Sequence, residues 1–350
     1  MQRFVERSLY RRSLLSCLLW PLSILFSCIV ILRRYAYHRC NFMVYRSRLK
    51  IICVGNIVSG GSGKTPFTIF LARFLKTRGL KVAVSHRGYK GAFENEIRMI
   101  STRREILPQA LQAGDEALLL ARNLEGIPVV CGRSRRRAIR ILEKEYPDLD
   151  FVILDDSFQH LQVYHDLDFV LFNSIAGAGN GFVLPAGILR EPVSVLKHAD
   201  FIIYNGVDSA RDFLRPYQEK VLSGKYSISG FYNINMEEIS LENIRKMRLA
   251  LISAIGYPPS FAALVNQAGI AYIKHNIYPD HCDYNDPRIL LKLQRQAKEQ
   301  RLDCFLTTEK DFVKLRTKET ALVLIMMKIE FVMDDICLAS LEKAISIRHN

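Results

Sequence analysis

The chain has 350 residues, of which 49% are hydrophobic, and its formal net charge is +14 at pH 7. This length and composition allow two domains with substantial hydrophobic cores. Residues 1–50 contain ten Lys or Arg and one acidic residue, so they carry +9 of the excess and the remaining residues carry only +5. Because the main body is not strongly basic, the net charge gives little support to nucleic-acid binding.

A mainly apolar run of nineteen uncharged residues covers positions 14–32, between Arg11-Arg12 and Arg33-Arg34. A membrane-spanning helix needs about twenty apolar residues. A secretory signal would need a small-x-small cleavage site, which the segment lacks, and a buried amphipathic helix is a third reading. We predict that residues 1–40 are an N-terminal membrane anchor whose arginines suit an anionic leaflet. Both a spanning helix and a helix lying in the interface fit this pattern.

A glycine-rich loop, Gly60-Gly61-Ser62-Gly63-Lys64-Thr65, lies between an apolar strand predicted at 51–54 and a helix predicted at 68–76. In this context backbone N–H groups and a helix N-terminus hold a phosphate chain, with Lys on the β- and γ-phosphates and Thr on Mg²⁺. The standard pattern has Gly where this chain has Val58. The strand–loop–helix context nevertheless predicts an ATP-type nucleotide site.

Predicted strands alternate with predicted helices along the rest of the chain. Strands are predicted at 81–85, 127–131, 151–154, 169–172 and 201–204, with helices at 116–124 and 135–144. Such alternation indicates βαβ units and a mostly parallel sheet that binds ligands at the carboxyl ends of its strands.

A second α/β unit follows a polar stretch. Its strands are predicted at 249–254, 272–277 and 304–307, and its helices at 261–268 and 287–299. The predicted fold class is therefore α/β: a P-loop NTPase-like parallel sheet flanked by helices, a second smaller α/β domain, and an N-terminal membrane helix. The predicted domains are 41–224 for the P-loop domain, 225–238 for a linker, 239–320 for the smaller domain, and 321–350 for a tail able to pack back on the P-loop domain.

The segment Asp155-Asp156-Ser157-Phe158-Gln159-His160 directly follows the predicted strand at 151–154. Phosphate-loop enzymes place the carboxylate that holds Mg²⁺ or its waters at such a strand end. A turn capped by Asp is the plainer alternative, because Asp favours turns. Two adjacent acids with an amide and a histidine favour the metal site.

Three further segments carry candidate chemistry. Gly114-Asp115-Glu116 opens a predicted helix, where the acids are equally good caps. Pro279-Asp280-His281 follows a strand of the second unit, where His beside Asp is either a proton shuttle or a surface turn. The stretch 180–192 is punctuated by Gly and Pro, and it presents Arg190 to an anion and Glu191 to a cation.

The eight cysteines form no C-x-x-C pair. This usage is typical of a reducing compartment and indicates neither a zinc site nor a disulfide framework.

Taken in order, these motifs resemble the tetraacyldisaccharide 4′-kinase family of lipid A biosynthesis over nearly the whole chain. The residues that carry the resemblance are Gly55-Asn56, Gly60 to Pro66, Arg87-Gly88-Tyr89, Gly114-Asp115-Glu116, Asp155-Asp156-x-Phe158-Gln159-His160, Leu184-Pro185-Ala186-Gly187-x-Leu189-Arg190-Glu191-Pro192, Pro279-Asp280-His281 and Thr308-Glu309-Lys310-Asp311. The chain departs from the family pattern at Ala117, Ser157 and Ile188, which all lie beside the chemical groups.

The resemblance implies ATP-dependent phosphorylation of the 4′-hydroxyl of tetraacyldisaccharide 1-phosphate, a lipid of the bilayer, with ATP and Mg²⁺ as cofactors. The expected location is the cytoplasmic face of a bacterial inner membrane, with no nucleic-acid partner. The site residues implied are Gly60, Gly61, Ser62, Gly63, Lys64 and Thr65 for ATP; Thr65, Asp155, Asp156 and Glu191 for the metal; Asp115, His281 and Lys64 for catalysis; and Glu116, Arg87, Gln159, His160 and Arg190 for the substrate.

Two other classes of protein compete with the kinase. A membrane-tethered P-loop ATPase acting as a conformational switch usually carries Lys where this chain has Ser59. A GTPase needs an Asn/Thr-Lys-x-Asp motif, and Thr308-Glu309-Lys310-Asp311 has the wrong spacing. A non-enzymatic scaffold would have no need for Lys64, Thr65 and Asp155 together.

Overall fold

The computed structural model describes residues 9–40, 43–89, 91–206, 212–282, 284–316 and 322–349. The chain divides into two compact units, one formed by Met1–Lys225 with Val332–Asn350 and the other by Tyr226–Phe331. Part of the predicted anchor (residues 1–8) and the predicted domain boundaries at 41 and at 321 lie outside the described residues.

The first described helix, α1 (Leu14–Arg39), contains the apolar run. Ser13 caps it, accepting a hydrogen bond from the Ser16 amide at 3.2 Å. The helix has 26 residues and a mean hydropathy of 2.4 over its most apolar window, so its length and composition suffice to cross a membrane. Most of its large apolar side chains are exposed, among them Leu14, Leu18, Leu25 and Leu32. The apolar helix that the sequence predicts is therefore present.

The first unit is built on a mainly parallel sheet. Its strands, in spatial order, are the first part of β8 (Val221–Tyr232, of which residues 226–232 belong to the second unit), β7 (Phe201–Asn205), β6 (Leu167–Asn173), β1 (Lys50–Gly55), β5 (Phe151–Asp155), β2 (Val82–His86), β4 (Val129–Cys131) and β3 (Arg98–Ser101). Among these described strands, the edge strand β3 is antiparallel to its neighbour β4. The central strands β2 and β5 are buried along their whole length, as expected for a parallel sheet covered on both faces. The predicted α/β class is confirmed.

Helices of the first unit pack against this sheet. They are α2 (Lys64–Thr77), α3 (Asp115–Asn123), α4 (Arg135–Glu145) and the C-terminal α9 (Asp335–His349). One core cluster joins Ile51, Val152 and Leu154 of the sheet to Ile139 and Leu142 of α4. Apolar positions three or four apart on α4 thus meet the apolar face of the strands.

The register of the central strands brings the glycine-rich loop and the strand-end acids together. Val54 of β1 pairs with Asp155 of β5. A Cβ atom on Gly55 would lie 2.5 Å from the Cβ of Phe158, so the backbone after β1 passes the loop after β5 at a distance that only glycine allows. Two distant segments of the sequence therefore share one edge of the sheet.

The second unit has its own parallel strands and core. Its strands are β10 (Leu249–Ser253), β11 (His275–Ile277), β12 (Cys304–Thr308) and β13 (Leu324–Met333), with β9 (Glu238–Ile239) antiparallel to the end of β8, and its helices are α5 (Leu241–Lys246), α6 (Pro258–Gln267), α7 (Pro287–Glu299) and α8 (Glu309–Leu315). β10 lies between β11 and β12, and β12 is followed by β13. Leu251, Phe261 and Leu306 belong to its core.

The structure differs from the sequence prediction in the predicted linker. Most of 225–238 belongs to β8, which continues to Tyr232. Its polar residues alternate with half-buried ones, so a strand with one wet face resembles a linker in composition. In the predicted tail, β13 and α9 are regular elements, and α9 belongs to the first unit.

Candidate active site

The glycine-rich loop forms a turn that ends at a helix N-terminus. Gly60 and Gly63 have φ of 109° and 83°, in a region that L side chains rarely adopt, and Gly63 is the N-cap of α2. Lys64 and Thr65 are therefore the first residues of that helix. Because a helix N-terminus carries a partial positive charge and aligned amide groups, this turn is suited to bind phosphate.

Side chains and backbone from other segments brace this turn. The Asn56 Nδ2 donates to Ser62 Oγ at 2.7 Å, and Gln159 Nε2 donates to the Asn56 carbonyl at 2.7 Å. Gln159, which the sequence predicts as a substrate group, is thus bonded to the segment that carries the phosphate loop.

The loop 180–192 also pairs with the start of the glycine-rich turn. The Ser59 amide donates to the Ile188 carbonyl and the Arg190 amide donates to the Ile57 carbonyl, both at 2.7 Å. These two bonds place Arg190 beside the strand-end acids.

Asp155 is buried and is held by hydroxyl groups of α2. Thr68 Oγ1 donates to one carboxylate oxygen at 3.0 Å, and Thr65 Oγ1 lies 3.4 Å from the other. His86 Nε2 lies 3.8 Å from the same oxygen as Thr65. Burial raises the pKa of Asp155, and the charge of His86 counteracts part of that effect.

Asp156 follows in a different environment. Its φ is 48°, and its side chain remains 34% exposed. Lys64 Nζ and Arg190 Nη1 lie 3.5 and 3.4 Å from its Oδ1. Burial acts to raise the pKa of Asp156, but the charges of Lys64 and Arg190 outweigh it and hold the pKa below its ordinary value. Asp156 is therefore an ionised carboxylate beside the phosphate loop.

This donor set fits a hard divalent cation. The Thr65 hydroxyl and the carboxylates of Asp155 and Asp156 offer oxygen atoms only, which Mg²⁺ prefers. The predicted fourth ligand, Glu191, instead has its carboxylate 2.6 Å from Nη2 of Arg34, and both side chains are almost fully buried. The structure therefore gives Glu191 a protein partner.

His86, at the end of β2, joins Asp155 to the start of α3. Its Nδ1 accepts from the Gly88 amide at 2.9 Å, which directs Nε2 toward Glu116 Oε2 at 3.2 Å. Burial lowers the pKa of His86, whereas the side chains of Cys131 and Glu116 and the charge of Asp155 raise it, with a net result of about 9. His86 thus places a proton donor between two carboxylates.

The predicted base, Asp115, is the first residue of α3 and is half-buried. Glu116, the next residue, points its carboxylate at His86. Both carboxylates are stabilised by the partial positive charge at the N-terminus of α3.

Arg87 and His160, two further predicted substrate groups of the first unit, have different surroundings. Arg87 donates to Glu94 at 2.9 Å, and its side chain is 45% exposed. His160 has a pKa lowered to about 4, first by burial and then by nearby positive charges, of which Arg135 is the largest. His160 is therefore neutral at physiological pH.

In the second unit, the predicted catalytic histidine sits in a strained turn. His281 has φ of 62°, and its Nε2 lies 3.8 Å from Asp280 Oδ2. Lys310 Nζ lies 3.1 Å from the other oxygen of Asp280. Non-glycine residues with positive φ concentrate at functional sites.

Sequence reasoning missed three residues around the site: Thr68, His86 and Arg34. Thr68 is three positions after Thr65 on one helix, and His86 precedes the Arg87-Gly88-Tyr89 motif at a strand end, so both had a local signal. Arg34 had none, because its partner Glu191 is 157 positions away.

Comparisons with known proteins agree over most of the chain. A sequence-family model described as tetraacyldisaccharide-1-P 4′-kinase matches residues 15–346. The tetraacyldisaccharide 4′-kinase of Syntrophus aciditrophicus is 37% identical over 329 residues, covering 88% of this chain and 86% of that protein. The Pelobacter propionicus protein of the same name is 34% identical over 335 residues, covering 94% and 92%.

A similar fold has also been solved. A crystal structure of LpxK from Aquifex aeolicus in complex with ATP matches with a TM-score of 0.75 at 24% identity, covering 96% of this chain and 100% of that one. At this identity the likeness supports the fold.

Proposed function

The chain belongs to the tetraacyldisaccharide 4′-kinase family and is an ATP-dependent kinase of lipid A synthesis, and we propose how its residues carry out the transfer. The reaction moves the γ-phosphoryl group of ATP to the 4′-hydroxyl of tetraacyldisaccharide 1-phosphate. In such transfers the protein contributes mainly positioning and charge stabilisation.

The amides of Gly60 to Gly63 bind the phosphate chain, and Lys64 neutralises the charge that builds up on the β- and γ-phosphates. Arg190 adds a second positive charge next to Lys64. Both side chains contact Asp156, which holds them on the same side of the loop. When ATP binds, Lys64 and Arg190 would exchange the Asp156 carboxylate for the phosphate oxygens, which carry more negative charge.

Mg²⁺ would be held by Thr65, Asp155 and Asp156, and it would neutralise the charge on the phosphate oxygens. His86 lies beside Asp155 and favours its ionised form, because the charge of His86 opposes the rise in the Asp155 pKa that burial causes. Glu191 orients the loop that presents Arg190 and is left outside the metal shell.

Asp115 is proposed to accept the proton of the 4′-hydroxyl, and His281 to orient or assist that carboxylate during catalysis. The half-buried position of Asp115 at a helix start gives it access to substrate. The strained turn of His281 is consistent with a functional role. A base of this kind typically contributes a factor of about 10²–10⁴.

The lipid acceptor explains the apolar helix. Ser16, Ser23 and Arg34, the buried residues of α1, are seven and eleven positions apart and so share one face. That face packs on the first unit over about 27 Å, while the apolar remainder is exposed. We propose that α1 lies in the membrane interface and holds the kinase at the bilayer that contains its substrate.

The observation that carries this proposal is the convergence of Lys64, Thr65, Asp155 and Asp156 in a chain of this family. It is tested by incubating detergent-purified protein with Mg²⁺, labelled ATP and tetraacyldisaccharide 1-phosphate. We expect the wild type to form a bisphosphorylated lipid. We expect Asp115→Ala to form it at a rate at least about 10²-fold lower. ATP hydrolysis without lipid product would instead support the membrane-tethered ATPase.

A further inference from the structure

One arginine of the apolar helix faces the protein and not the solvent. Arg34 is 5% exposed, whereas its neighbour Arg33 is exposed. Removing a guanidinium group from water is costly unless it is paired and hydrogen-bonded. The contacts that compensate Arg34 therefore show what the helix is fastened to.

Arg34 contacts both loops that border the phosphate site. Its Nη2 donates to Glu191 Oε2 at 2.6 Å and to the Phe158 carbonyl at 3.2 Å, and its guanidinium carbon lies 4.5 Å from the centroid of the Phe158 ring. Glu191 is the residue after Arg190, and Phe158 is two residues after Asp156. One side chain of α1 thus fixes the two segments that carry the Arg190–Asp156 contact.

The same helix fastens the far end of the 180–192 loop. Ser23 Oγ donates to the Val183 carbonyl at 2.7 Å and accepts from the Ala186 amide at 3.0 Å. The part of the loop that lies between its contacts with Ser23 and with Arg34 makes the two backbone hydrogen bonds to Ile57 and Ser59, at the start of the glycine-rich turn. The helix therefore holds the strip of backbone that supports one side of the phosphate loop.

From this arrangement we propose that Arg34 is a positioning residue for nucleotide binding, so that α1 shapes the ATP site as well as holding the protein at a membrane. The inference builds on the proposed function of Lys64 and Arg190. The Arg34–Glu191 pair fixes Arg190 against Asp156, and Asp156 in turn contacts Lys64. Loss of the pair leaves these charges less well placed for phosphates.

A stabilising role and a positioning role of the pair predict different results when both members are replaced. Replacing both members of a buried ion pair with apolar residues is often neutral or stabilising, whereas removing one leaves an unpaired buried charge. Burial raises the pKa of Glu191 and Arg34 opposes that rise, which is the expected balance for such a pair. The apolar double replacement therefore separates positioning from folding.

The test compares Arg34→Met with the double variant Arg34→Met/Glu191→Leu and with Arg39→Gln, a charge-removing control at an exposed site on the last turn of α1. Each is purified in detergent, and three quantities are measured: thermal unfolding, binding to anionic phospholipid vesicles, and the Kd for Mg²⁺-ATP by calorimetry. Calorimetry needs no lipid acceptor, so it is independent of the transfer reaction.

We expect the double variant to unfold within a few degrees of the wild type and to bind vesicles equally, but to bind Mg²⁺-ATP about tenfold more weakly. Arg39→Gln should keep the wild-type Kd. A further variant, Arg34→Lys, should recover part of the affinity that Arg34→Met loses, because it restores the charge without the fork geometry. A double variant with wild-type stability and a Kd within twofold of wild type would overturn the positioning role. Absence of lipid phosphorylation by the wild type would count against the proposed function alone.

Discussion

Each unit of the protein places an aspartate near the carboxyl end of a central parallel strand, but the two aspartates have different surroundings. Asp155 ends β5 in the first unit, and Asp311 lies three residues after β12 in the second. Both are fully buried, and burial raises the pKa of both. Similar position and burial therefore do not distinguish them.

The neighbouring groups of Asp155 and Asp311 distinguish the two aspartates. Asp311 accepts from the Ala254 amide at 2.9 Å, from Thr308 Oγ1 at 2.8 Å and from Tyr284 Oη at 3.1 Å, all of them ordinary structural donors. Asp155 shares its environment with His86 and with the partly exposed Asp156, which itself contacts Lys64. A strand-end acid is thus a candidate for chemistry where positive charge and solvent access accompany it.

The sharpest way to test this contrast is to remove Lys64. Lys64→Ala should lower kcat/KM for ATP by about 10²–10³, because it removes charge stabilisation of the transferred group. His281→Ala, in the second unit, should lower it by only about tenfold, since assistance to a base matters less than charge in phosphoryl transfer. Steady-state kinetics with the lipid acceptor measure both.

Lys76→Ala is the matched control for Lys64. Lys76 lies on the last turn of the same helix and donates to the Glu125 carbonyl at an exposed site. It should keep the wild-type rate. Equal, near-wild-type rates for Lys64→Ala and His281→Ala would overturn the assignment of the nucleotide site.

The same substitution in the two aspartates gives a second test. Asp155→Asn should lower kcat by about 10², because the amide keeps the shape but loses the charge that would hold Mg²⁺. Asp311→Asn should change the free energy of unfolding by about 1 kcal/mol, the net value of one altered hydrogen bond, and leave kcat within threefold. Denaturant unfolding and initial rates on the same preparations check both.

Should Asp311→Asn lose activity while remaining folded and Asp155→Asn remain active, the contrast between the two strand ends would be reversed. Raising the Mg²⁺ concentration adds a further check. Part of the loss in Asp155→Asn should be recovered if weaker metal binding is its cause, and Asp311→Asn should show no such response.

The parts of this site that the sequence predicts are those encoded locally. Gly60 to Thr65 between an apolar strand and a helix, and Asp155-Asp156 directly after a second strand, each lie within one short window. Because the carboxyl ends of parallel strands lie at one edge of a sheet, the sequence also predicts that these two segments come together there.

What could not be predicted depends on contacts between distant segments. Glu191 is an acid in a loop, and its sequence neighbours do not reveal that Arg34 holds its carboxylate. β8 is polar on its wet face, so that its composition resembles a linker. The pairing of Asp115 with His281 stays a prediction.

The last prediction concerns His86, the residue that distinguishes the environment of Asp155 from that of Asp311. The pKa of His86 is raised to about 9 from 6.5, so its charged form contributes stability that is present below pH 6.5 and is lost as pH rises through about 9. The unfolding free energy of the wild type relative to His86→Gln should therefore fall by at most about 3 kcal/mol between pH 6.5 and 9. Charging the ring requires Nδ1 to give up the amide of Gly88. A stability difference that stays constant over this range would mean that the Gly88 amide keeps the ring neutral, so that Nε2–H donates to Glu116 and His86 places no positive charge beside the Asp155 carboxylate.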